Sequence, residues 1–133
     1  MGKDIFIDVH IQVSPYISVS EGHYIAQHLH YLLMTKIPHV KDVTIHVDPE
    51  DDETVAPCMD LPSRTTLTAK WFNPWQEKFP CISHYGLHYL DGKLTIDVFL
   101  IHNGTESPLL KKHIISDLSK EPTIMVRFFS VLA

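Results

Sequence analysis

The alternation of apolar and polar residues sets the first element. In residues 5–13, IFIDVHIQV, Ile5, Ile7, Val9, Ile11 and Val13 take one face, and Phe6, Asp8, His10 and Gln12 take the other. A period of two is that of a half-buried strand. Ser18 and Glu21 then fit the S-x-x-E capping box that opens a helix. Val19, Gly22, Ala26, Leu29 and Leu33, widened by Ile25, Leu32 and Ile37, form a stripe at helical spacing, which Pro38 ends. Residues 42–48, DVTIHVD, alternate again, with Val43, Ile45 and Val47 inward and Thr44, His46 and Asp48 outward. Pro49 and the acidic run Glu50 to Glu53 close that strand, so the first third reads β-α-β.

Residues 54–62, with Pro57 and Pro62, read as a loop, and a helix follows from Ser63, interrupted at Asn73-Pro74. Ile82–Leu90 and Lys93–Ile101 form a hairpin around Asp91-Gly92, a two-residue turn signal. Ser107-Pro108 opens a short helix ending near Lys120, and Pro122 separates it from a last strand, Thr123–Val131. The pattern predicts an α+β fold, a sheet with helices on one face. Residues 1–53 form its β-α-β unit, and residues 54–133 a helix-β-β-α-β extension packed in the same domain. Ile7-Asp8-Val9-His10 has a faint echo in Ile96-Asp97-Val98-Phe99, where phenylalanine replaces the histidine.

Composition narrows the classes. A chain of 133 residues, 44% hydrophobic, suits one globular core. No apolar run approaches the roughly 18–20 residues of a membrane span. Met1-Gly2-Lys3-Asp4 leads straight into the first strand without a secretory signal, and the expectation is a soluble, cytosolic chain. With 11 basic and 16 acidic residues and no basic stripe, nucleic acid is not expected as a partner. The two cysteines, Cys58 and Cys81, form no C-x-x-C pair and read as buried structural thiols of a reducing compartment.

Ten histidines are the feature that composition singles out, and His10, His23, His28, His30, His39 and His46 all fall in the β-α-β third. His10 lies on the polar face of the first strand, and His46 and Asp48 on that of the second. Strands of one β-α-β unit run parallel, so these faces look the same way. Two imidazoles and a carboxylate on an open face suit a divalent first-row ion. The competing reading is a plain solvated face. His23, on a helix flank with Gln27 and His30, either completes the set from the side or faces a second chain. His28, His30 and His39 read as solvated helix and turn residues. In the hairpin, register places His88 opposite Thr95 and Gly86 opposite Asp97, so that His84, His88 and Asp97 share a polar face as a second candidate site, against the plainer alternative of a solvated sheet. Trp71, Phe72 and Trp75 read as core. No G-x-S-x-G, H-E-x-x-H, Walker loop or G-x-G-x-x-G is present, and no enzyme activity is expected.

The runs IDVHIQVSP, SVSEGHYIA and PHVKDVTIHVDPED, over residues 4–52, resemble the cytosolic C-terminal domain of cation diffusion facilitator transporters, which export divalent metals. The resemblance implies a ferredoxin-like fold that forms a homodimer at the cytosolic face of the membrane, below a six-helix membrane domain if the chain is an excised fragment. It implies His10, His23, His46 and Asp48 as metal ligands, with zinc expected and iron, manganese, cobalt or nickel as alternatives. A further family histidine, in an H-x-L-R-x-R segment before the first strand, has no counterpart here, and residues 54–133 extend past the family pattern. The resulting expectation is a regulatory, metal-binding and dimerising domain of a cation efflux transporter. The alternative is a small-molecule-sensing module of ferredoxin-like or ACT-like type.

Overall fold

The computed structural model describes residues 2–101 and 107–131. They fall into two compact units, Met1–Val55 and Ala56–Ala133.

The first unit is β1 (Ile5–Gln12), α1 (Val19–Lys36) and β2 (Val40–Asp48). β1 and β2 pair in parallel, with Asp8 opposite Thr44, His10 opposite His46 and Gln12 opposite Asp48. The alternation read from the sequence holds from Ile7 onward: Val43 is buried, Ile7, Val9, Ile11, Ile45 and Val47 are half-buried, and Asp8, His10, Thr44 and His46 are exposed; Ile5, at the strand's start, is exposed, and Asp48, expected outward, is half-buried. Ser18 caps α1, its hydroxyl accepting from the Glu21 amide at 3.1 Å. Gly22 is buried, and a Cβ there would lie 3.5 Å from Val47, so the helix start sits close on β2. The helix stops at Ile37, whose extended backbone is the conformation a residue before proline favours.

The second unit is α2 (Arg64–Leu67), a π-helical turn (Thr68–Phe72), α3 (Asn73–Lys78), β3 (Ile82–Leu90), β4 (Lys93–Ile101), α4 (Ser107–Asp117) and β5 (Ile124–Val131). The expected interruption at Asn73-Pro74 takes the form of the π turn. Pro74 has no N–H to give the carbonyl four residues back, and the Asn73 amide donates to Thr68, five back. Asp91 (φ 49°) and Gly92 (φ 70°) both adopt positive φ, the requirement of a type I′ hairpin turn. The expected register is found, Leu90 opposite Lys93, His88 opposite Thr95 and Gly86 opposite Asp97, with an irregularity between Ile82 and His84. β5 returns through α4 to lie parallel to β4.

One face of this sheet carries the core. Leu94, Ile96 and Val98 on β4 are fully buried with Leu67, Trp75, Leu110 and Ile114 from the helices. Each such aliphatic side chain contributes about 1.5–3 kcal/mol of burial. Trp71, Phe72 and Trp75 belong to this core, as expected, and the Trp75 indole N–H donates to Asp117 at 2.7 Å.

The fold is α+β, but its strands do not join one sheet. β1 and β2 form a two-stranded sheet, and β3, β4 and β5 a three-stranded one. The reason is local pairing. The β-α-β crossover brings β2 onto β1, and the tight turn with the α4 crossover supplies β4 with both neighbours, so each segment satisfies its ladder within its own unit.

Candidate metal centre

The site is built on the exposed face of the β1–β2 ladder. His10 and His46 occupy opposed positions, and their rings stack with centroids 4.2 Å apart and planes 8° from parallel. Two carboxylates hold them crosswise. Nδ1 of His10 on β1 donates to Asp48 Oδ2 on β2 at 2.8 Å, and Nε2 of His46 on β2 lies 3.0 Å from Asp8 Oδ1 on β1. The Asp48 bond orients the His10 imidazole through Nδ1. Metal-binding histidines are oriented by carboxylates in the same way.

Asp8, His10 and His46 can bring one ligand atom each within 4.8 Å of one another, and theirs is the one such group of three or more histidines, cysteines or carboxylates among the described residues. The Asp48 hydrogen bond raises the pKa of His10 above its ordinary 6.5; desolvation opposes it, and the charges of Asp48, Asp8 and Asp52 add to it. Asp48, Glu50, Asp51, Asp52 and Glu53 line a depression beside His10 and Gln12, so the site opens toward concentrated negative charge.

Three of the residues expected from the sequence therefore come together: His10 and His46 face each other, and Asp48 binds His10. Asp8 was missed as a site residue, although D-x-H at strand spacing puts it on the same face as His10. His23 is not brought to this cluster within one chain. It lines grooves on the helix side with Ile45 and Val47, whose side chains point away from His46 in the alternating strand.

The second candidate set is engaged otherwise. Arg127, opposite Asp97 in the β4–β5 ladder, grips both its oxygens, Nε to Oδ1 at 2.7 Å and Nη2 to Oδ2 at 2.8 Å. His88 Nε2 donates to Oδ2 at 2.9 Å. Burial pushes the Asp97 carboxyl up, but the Arg127 and His88 bonds outweigh it and hold the pKa below 3.8. His84 stacks instead on Phe99, 4.3 Å away and 2° from parallel. His84, His88 and Asp97 thus form an ion-paired strut and a separate ring stack rather than a ligand cluster, because Arg127 occupies the carboxylate. Cys81 is buried, as its structural reading required, and Cys58 is partly exposed.

Residues 1–50 match the family described as the cytoplasmic domain of cation efflux proteins. The chain is similar to the metal tolerance protein C1 of Arabidopsis thaliana, with 38% identity over 48 residues, which cover 36% of this chain and 10% of that protein. The chain thus spans about a tenth of the length of the curated relative it matches. No solved structure matches. No helix among the described residues is long and apolar enough to cross a membrane.

Proposed function

We infer, from the membership of residues 1–50 in the cation efflux cytoplasmic domain family, that this unit binds a divalent cation and uses it to associate two copies. The observation that carries the reading is the convergence of Asp8, His10 and His46 on one exposed ladder. Imidazole nitrogen and carboxylate oxygen suit zinc at roughly 2.0–2.2 Å, and iron, manganese, cobalt or nickel in varying degree. His10, His46 and Asp8 would hold the ion. Asp48 orients His10 and raises its basicity, which strengthens it as a ligand.

Two protein nitrogens and one carboxylate leave a tetrahedral ion short of a ligand. A second copy fills that place, and His23, which lies away from the site in its own chain and holds a ligand position in the resembled family, is the residue we assign to it. The mechanism is electrostatic. Asp8, Asp48 and the acidic run repel their counterparts on a second copy; a dication neutralises that charge and bridges the pair, shifting the population toward the associated form. In a longer transporter the unit would act as a regulatory arm at the cytosolic face, below the six-helix membrane domain. The family is one of transport proteins rather than enzymes, and no catalytic role is assigned.

Calorimetric titration of the whole chain with zinc tests this reading. Heat of binding that is lost in His10→Ala/His46→Ala, with an accompanying rise in mass by light scattering only for the native chain, is the expected result. Equal heats in both proteins would sink it.

A further inference from the structure

The face of the three-stranded sheet turned away from its helices is organised. His84, Phe99 and Phe129, one from each strand, stand in a row: His84 to Phe99 at 4.3 Å and 2°, Phe99 to Phe129 at 5.3 Å and 21°. Rings in such a row face each other and turn their rims outward, so they give an apolar ridge rather than a flat platform for a nucleobase. Beside the ridge, Ile101 (44%), Met125 (57%), Phe129 (40%) and Val131 (37%) are well exposed. Asp97 is the one carboxylate that β3, β4 and β5 contribute to this face. It is 4% exposed and neutralised by the two-toothed grip of Arg127, which also lies 5.4 Å over the Phe129 ring.

We propose that this face packs against the same face of a second copy of the chain. A two-fold interface lays a patch on itself, so any net charge in it meets its own sign. The chain carries 16 acidic against 11 basic residues, so two copies bear net charge of the same sign. Here the Asp97–Arg127 pair cancels internally, and Ile101, Met125, Phe129 and Val131 make the β5 side of the face apolar, while His84, His88 and Thr95 leave its β3 side polar. Two such sheets pack at about 10 Å with their side chains interdigitated. β5 lies at the edge of the sheet, so the ridge extends to the rim of the patch. This interface belongs to residues 56–133 and does not rest on the metal reading.

The test is the mass of the full chain by light scattering in EDTA, across a wide concentration range, for the native protein, Phe129→Arg and Met125→Lys. Met125 is the more exposed of the two, so its variant guards against misfolding. The native chain should rise in mass with concentration, and both variants should have about half its limiting mass. Met125→Lys should keep the native zinc heat, which separates this interface from the N-terminal site. A native mass that does not rise, or a rise that both variants share, overturns the proposal.

Discussion

The imidazoles of His10 and His46 lie face to face, 4.2 Å apart, each held by a carboxylate from the other's strand. The four residues are linked across the ladder: Asp8 and His10 alternate on β1, His46 and Asp48 on β2, and the His10–Asp48 hydrogen bond and the His46–Asp8 contact both cross between the strands. Direct ligands and orienting residues should therefore separate in titration. His46→Ala should remove most zinc affinity. Asp48→Asn, which loosens His10 without removing a nitrogen, should weaken it roughly 10–100-fold. Calorimetry on the two variants measures the difference, and equal losses would place Asp48 in direct contact with the ion.

His10 should also report Asp48 in the metal-free protein. Its pKa lies above 6.5 because the Asp48 carboxylate bonds the protonated ring. A raised folded pKa contributes stability below 6.5, and that contribution is lost as pH rises through the folded value. A proton and a metal compete for the imidazole, so zinc affinity should fall as pH drops through the same raised value. NMR titration of the His10 ring should show Asp48→Asn bringing the midpoint back toward 6.5; an unmoved midpoint would remove Asp48 as the cause.

In the second unit the Asp97–Arg127–His88 strut should be structural. Asp97→Asn should cost about 1.5–3 kcal/mol, the range for hydrogen bonds to charged groups. The depressed carboxyl pKa means its stabilisation is present above 3.8 and is lost as pH falls below that value. Urea unfolding should show the native chain and Asp97→Asn differing at pH 6 and converging in strong acid.

The hairpin turn gives a backbone test. Gly92 sits at φ 70°, and an added Cβ would meet Ala56 Cβ at 3.1 Å. Gly92→Ala should cost about 1–2 kcal/mol, the penalty of an L-residue in the left-handed region. In a unit of this size that is a fall of roughly 4–8 °C per kcal/mol in the melting midpoint, read by calorimetry.

Local periodicity made much of this legible. Two alternating strands, a capped helix and an Asp-Gly turn fixed the element order, and the turn fixed the register of His88 and Asp97 before any coordinates. What stayed hidden depended on pairing at long range. Arg127 reaches Asp97 from thirty residues away in a parallel strand, and nothing near Asp97 in sequence announces it, so the hairpin face read only as a choice between a second ligand set and a solvated sheet. The division into two sheets depended on which strand edges pair, which alternation does not encode. His23 sat on a helix flank whose direction relative to the strand faces only packing decides. Asp8 was within reach, since it shares a face with His10, but a carboxylate on a solvated strand carries no signal until a histidine on the neighbouring strand bonds it.

The central claim is that Asp8, His10 and His46 hold one divalent ion. Anomalous diffraction from crystals of the zinc-loaded chain, recorded on both sides of the zinc edge, tests it most directly. The account predicts a peak at roughly 2.0–2.2 Å from both imidazoles and the Asp8 carboxylate. A zinc peak elsewhere on the chain, with the His10–His46 stack undisturbed, would contradict it.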